Sequence, residues 1–132
     1  MTDDFNSQCS YVLREDGIYE LTLTDYTIAG VDAYMTVLEN IYKQRTDISK
    51  PLLMLLVGAG SLPLNYVFER GKELSARYPN LGKIYSATLT NHTVEARLAD
   101  SFMRLIRFPG TQVRFFAMSH RDEAIEWLLA QN

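Results

Sequence analysis

Cysteine is nearly absent from this chain of 132 residues: Cys9 stands alone, so no intramolecular disulfide can form. A single thiol fits a reducing compartment. Long hydrophobic runs are missing too, and the apolar stretch Leu52 to Val57 falls far short of the roughly 18 residues that a membrane span needs. The amino-terminal segment MTDDFNSQCS is polar and acidic, without the basic start and apolar centre of a signal peptide. Neither sign of charge dominates. A formal net charge of −3 and a pI near 5.3 give no electrostatic reason to expect nucleic acid or an anionic membrane as partner. Only two histidines are present, and with Cys9 they offer no metal-ligand spacing of the usual kinds. These absences leave a single cytoplasmic domain, long enough to bury a core, with no metal expected.

The most informative stretch that is present is Leu52 to Leu64, LLMLLVGAGSLPL. An unbroken apolar run, then Gly58-Ala59-Gly60, Ser61 and Pro63, reads as a strand buried on both faces, a tight turn and a helix start. Before it, Tyr11 to Arg14 and Ile18 to Thr24 flank Glu15-Asp16-Gly17 as a hairpin. In the second strand Tyr19, Leu21 and Leu23 alternate with Glu20, Thr22 and Thr24, predicting one buried and one wet face. Residues 1 to 10 are expected to be loosely held.

The apolar positions 31, 34, 35, 38, 41 and 42 trace one face of a helix from Val31 to about Arg45. A second helix is predicted over Leu62 to Tyr78, with Leu64, Val67, Phe68, Gly71, Leu74 and Tyr78 inward and Pro79 to Gly82 ending it. Gly71 on that inward face implies a close approach to the sheet. Lys83 to Leu89 is a strand. Asn91 or Thr93 caps a third helix with Val94, Leu98, Phe102, Leu105 and Ile106 as its stripe, ended by Phe108-Pro109-Gly110. Gln112 to Met118 is the last strand, and Ser119 to Asp122 offers a capping box for a final helix burying Ala124, Ile125, Leu128 and Leu129.

The order is ββαβαβαβα, an α/β single domain with a mainly parallel five-stranded sheet, an antiparallel amino-terminal edge strand and four helices. This order, the Asp16-Gly17 hairpin followed by ELTLTD, the segment PLLMLLVGAG and above all VRFFAMSHRDEAIEWL resemble the STAS-like fold of bacterial anti-sigma-factor antagonists. The nearer resemblance is to the sporulation-stage-II-antagonist-like and lipid-transfer-like branch of that superfamily, over roughly residues 11 to 131. The resemblance implies a small regulatory or binding domain without a cofactor, acting on a protein partner in a bacterial signalling pathway.

One departure concerns the switch site. Anti-sigma-factor antagonists carry an Asp-Ser-Ser-Gly type motif after the central strand, where a kinase phosphorylates a serine. Here the stretch is Val57-Gly58-Ala59-Gly60-Ser61-Leu62-Pro63: the acid is missing and Ser61 is the acceptor that remains. A phosphate on Ser61 would meet the unpaired amides and dipole of a helix N-terminus; equally, Ser61 can simply cap that helix. Gly58, Gly60, Ser61, Leu62 and Pro63 are therefore the candidate phospho-switch or docking loop. Nucleotide phosphates are a poor fit, since the dinucleotide fingerprint needs glycine where Pro63 stands and a P-loop needs Gly-Lys-Ser/Thr.

The inventory for catalysis is thin. His92 with Glu95, or His120 with Asp122, could pair a base with its orienter, but both histidines sit at predicted helix starts, where solvated polar residues are common. Cys9 has no nearby cation to lower its pKa. No residue is assigned to catalysis or cofactor binding. Eight tyrosines are spread over the elements, most of them expected in the core with the hydroxyl reaching water. Phe115 and Phe116, like Ile84 and Tyr85, must point to opposite faces of the sheet. Were helices on one face alone, the other would be apolar and free for a homodimer; helices on both faces would cover it. A small-ligand or lipid-binding domain, with an apolar pocket among the tyrosines and methionines, is the alternative reading of function.

Overall fold

Strand β1 (Cys9–Leu13) pairs antiparallel with β2 (Ile18–Leu23), Cys9 opposite Leu23 and Leu13 opposite Tyr19, in a computed structural model that describes residues 8–45, 47–59, 63–90 and 110–132. The turn between them works as Asp-Gly predicts. Gly17 adopts φ of +88° and donates its amide to the Arg14 carbonyl at 3.0 Å, while Asp16 Oδ1 accepts the Ile18 amide at 3.2 Å. The strand begins earlier than expected. Cys9 and Ser10, placed above in a loose segment, are paired with Leu23 and Thr22, and Cys9 is 1% exposed.

Helix α1 (Ile28–Gln44) starts before the expected Val31 because Asp25 turns the chain ahead of it. Asp25 Oδ1 accepts the Thr27 amide at 2.9 Å and the Thr27 hydroxyl at 2.5 Å, and the Thr27 carbonyl takes the first helical bond from Val31. The buried arc is wider than the stripe read from spacing. Val37 is fully buried beside Val31, Met35, Leu38 and Ile41, since α1 packs against the hairpin as well as against its neighbouring helix.

The chain continues through β3 (Leu52–Ala59), α2 (Leu64–Arg77), β4 (Ile84–Thr90) and β5 (Thr111–Ala117). A 3-10 turn (Met118–His120) then leads into α3 (Arg121–Leu129). The five strands lie in the order β1-β2-β3-β4-β5, β1 antiparallel at the edge and the rest parallel, as expected. Among the described residues there are three helices; the further one expected between β4 and β5 falls on residues 91–109, outside them.

The sheet separates two apolar clusters. On one face Leu21, Leu23, Leu52, Met54, Leu56 and Ile84 pack under α1 and α2. On the other, Ile18, Leu53, Leu55, Ala87, Leu89 and Phe116 pack under Ala124 and Leu128 of α3. None of Leu52 to Leu56 is more than 4% exposed, which is the two-sided burial that the unbroken apolar run implied. Because α3 covers the second face, the bare-face premise for a homodimer does not hold.

Three expectations about α3 and β2 are corrected by this docking. Ser119 lies inside the 3-10 turn, and His120 at the N-cap makes no side-chain capping bond, so the capping box does not form. Leu129 is 38% exposed; Trp127 packs in its stead, 6.1 Å from the Tyr85 ring and 6.0 Å from Phe116. The second face of β2 is wet at Thr22 and Thr24, as expected, but not along its whole length: Ile18 is fully buried and Glu20 is half-buried between Arg14 and Arg121.

Candidate functional site

Parallel strands end together at one edge of the sheet, and loops that leave there are where open α/β sheets gather ligands. Here that edge includes the end of β3, where pairing with β4 slips between Leu56 and Ala59. Gly58 causes the slip. Its φ is +92°, and a Cβ at that position would stand 2.6 Å from the Leu23 carbonyl oxygen and 3.4 Å from the Tyr26 hydroxyl. Only glycine satisfies both the left-handed backbone and the close approach of β2's end.

Of the candidate loop, Gly58 is the penultimate residue of β3 and Pro63 occupies the N-cap of α2, its carbonyl accepting the Val67 amide at 3.0 Å. The N-cap position is thus held by a proline, which has no capping side chain. Gly60, Ser61 and Leu62 lie outside the described residues. The helix begins at Leu64, later than the predicted Leu62, because proline's fixed φ suits an entry point and not a helix interior.

Of the two candidate base–orienter pairs, the one among the described residues is not formed. His120 is exposed after β5 and is not bonded to Asp122, itself exposed, while His92 and Glu95 fall outside the described residues. Among the described residues no group of His, Cys, Asp and Glu is placed to hold a metal ion. Burial pushes the Cys9 thiol up to about 11, opposite to what a nucleophile needs. No helix among the described residues is long and apolar enough to cross a membrane.

Between the sheet and its two crossover helices lies a cavity of about 120 Å³. Tyr34, Met35, Leu38 and Tyr42 of α1 form one wall, Phe68, Gly71 and Leu74 of α2 another, and Met54, Ser86, Val113 and Phe115 the floor. Gly71, read from the sequence as a point of close approach, borders this space. Removal from water pushes the phenols of Tyr34 and Tyr42 up, Tyr42 to about 12, so both remain neutral donors near pH 7.

Two polar clasps close α1 against α2 beside the cavity, and neither was read from the sequence. Tyr66 donates its hydroxyl to Asp32 Oδ1 at 2.5 Å, with Arg70 at 3.3 Å from the same oxygen. Tyr78 donates to Glu39 Oε2 at 2.9 Å, with Arg77 at 3.0 Å. The pairings set the two helices side by side in the same direction. The recurring interval from Asp32 to Glu39 and from Arg70 to Arg77 was the available signal, two helical turns on each partner. The carboxylates raise the phenol pKa of both tyrosines by accepting their protons in hydrogen bonds. No protein-family model, curated protein or solved structure matches the chain.

Proposed function

We propose that this chain is a non-enzymatic regulatory module of STAS-like type that acts by protein–protein contact in the cytoplasm. Its docking surface is the loop from Gly58 to Pro63 together with the outward face of α2. The observation that carries the reading is the path of β3. A central strand of a sequentially ordered sheet ends at a glycine bulge and hands the chain through a short loop to α2, whose Glu69, Lys72 and Glu73 face solvent. That is the layout a STAS-like switch loop needs, with Ser61 within it. A phosphate there would add roughly two negative charges next to a helix start.

The test combines two measurements on the full chain from its native cells. Phosphopeptide mass spectrometry reads Ser61, and crosslinking through Lys72 reads the partner. The reading expects a defined partner crosslinked at α2, with capture changed at least several-fold by Ser61→Asp. An unmodified Ser61, together with equal capture by wild type and Ser61→Asp, would overturn it. The cavity favours a second reading, a small-ligand site, though its volume is far below the roughly 300–1,000 Å³ of typical ligand pockets.

A further inference from the structure

We infer that the outer edge of β5 docks an extended segment of a partner protein, one that carries an acidic residue between two apolar ones. The inference does not rest on the loop from Gly58 to Pro63 and holds whether or not that loop meets a partner.

The backbone comes first. β5 ends the strand order, so among the described residues it has a strand neighbour on one side only. Ile84 of β4 donates its amide to the Gly110 carbonyl at 2.8 Å, which fixes the alternation along β5. Gln112, Arg114 and Phe116 turn their backbone groups toward β4, while Thr111, Val113 and Phe115 turn theirs outward. The pairing with β4 keeps one register from Thr111 to Ala117, and no bulge or proline blunts the edge. Such an edge takes up a further strand through main-chain hydrogen bonds.

Arg114 supplies the charge. It is the one charged residue of β5 and is exposed, and no carboxylate pairs with it among the described residues. Its guanidinium is drawn in over the sheet face, 5.0 Å from the centre of the Phe116 ring and 5.9 Å from that of Trp127. Held there, it does not shield the edge as charges on edge strands commonly do. It presents a positioned cation to a strand laid alongside.

The order of side chains on that strand follows from the pleat. Residues opposite one another on neighbouring strands share a face and touch. A carboxylate beside Arg114 therefore reaches the guanidinium and makes a charge-assisted hydrogen bond. The residues before and after it turn to the other face, beside Val113 and Phe115, which are apolar and half-buried. Charge on one face and apolar surface on the other give the order apolar, acidic, apolar.

The test titrates the full chain with a capped peptide, Ser-Thr-Val-Asp-Val-Thr-Ser, and with the same peptide bearing Asn for Asp. Backbone amide exchange and the fluorescence of Trp127 are read. The acidic peptide should slow exchange at Thr111, Val113 and Phe115. It should bind about three-fold tighter than the Asn peptide, the scale of a solvent-exposed ion pair, and Arg114→Gln should abolish that preference. Val113→Pro removes one outward amide and leaves the ladder to β4 whole, so it should abolish binding. The inference is overturned by any of these outcomes: no slowing at the three amides; equal affinity for the two peptides; a preference that survives Arg114→Gln; or slowing that grows with protein concentration in the absence of peptide, which would give the edge to a second copy of the chain. Should Val113→Pro fail to fold, the wild-type and Arg114→Gln titrations decide.

Discussion

Nη2 of Arg121 lies 2.6 Å from Oε1 of Glu20, joining the first residue of α3 to β2 across 101 positions of the chain. Arg14 approaches the same oxygen at 3.2 Å and also grips Asp16 through two hydrogen bonds. The hairpin turn, β2 and α3 are thereby tied at one point. Burial by itself would raise the Glu20 carboxyl, but the hydrogen bonds and charge of Arg121 and Arg14 outweigh it and hold the group below its ordinary value. A depressed carboxyl stabilises the fold above its unfolded pKa, about 4.3, and that contribution is lost as pH falls through the folded value. Thermal melts between pH 7 and pH 3 should therefore show a decline that Glu20→Gln flattens. At pH 7 the substitution should cost about 1 to 2 kcal/mol, the lower part of the range for hydrogen bonds to charged groups, since both guanidinium groups keep access to water. Parallel curves for the two proteins would rule out this role.

Docking of α3 makes a second prediction through two adjacent leucines. Leu128 is fully buried on the sheet while Leu129 is 38% exposed. Leu128→Ala should cost about 3 kcal/mol in urea unfolding, as transfer and cavity effects add, and Leu129→Ala less than about 0.5 kcal/mol. Similar losses for both would mean that α3 sits in another rotation on the sheet. Trp127, the sole tryptophan, supplies the fluorescence signal.

Gly30 tests steric space without backbone strain. It lies in the first turn of α1, where a Cβ would come 1.7 Å from the Asp25 carbonyl oxygen. Helix propensity alone favours alanine there by about 1 kcal/mol. The clash should reverse that sign, and Gly30→Ala is expected to lower stability by about 2 kcal/mol, measured by chemical unfolding. A stabilised variant would show that the Asp25 turn does not press on the helix.

Tyrosine titration makes the fourth prediction. Tyr34 and Tyr42 are pushed up chiefly by burial, Tyr66 and Tyr78 by carboxylate hydrogen bonds, so all four should ionise above the usual value of about 10. A group with a raised folded pKa contributes stability that is complete below the unfolded value and is lost as pH rises through the folded one. Phenolate absorbance should thus rise in at least two steps, the later one accompanied by loss of the folded circular-dichroism signal. Ionisation of all eight tyrosines in one step near pH 10, in a protein still folded, would contradict the assignment.

The local readings succeeded where burial is decided by neighbours along the chain. Asp16-Gly17 forms the turn, Leu52 to Leu56 are buried from both sides, and the alternation of Phe115 and Phe116 places one at the cavity and the other beneath α3. They failed where the deciding neighbour is distant. Glu20 alternates with apolar residues and so reads as a solvent-facing position, until Arg121 arrives from the far end of the chain. Leu128 and Leu129 have the same hydropathy, and their different burial depends on how α3 rotates as its Trp127 settles against Tyr85 and Phe116.

The candidate sites divide in the same way. The glycine at position 58 is legible as a turn from its place after an apolar strand, but the reason that no other residue fits is the Leu23 carbonyl 2.6 Å from its would-be Cβ. The tyrosine and methionine stripe of α1 is visible as a helical face. That this face ends in an open chamber above Ser86 is not, because a cavity is the volume left when three separate elements meet. Sequence alone therefore determined the order of the five strands and of the three described helices, since periodicity and turn chemistry act over a few residues. Tertiary packing decided which polar groups are paired, which apolar groups are covered and where space remains, since each depends on residues that only folding brings together.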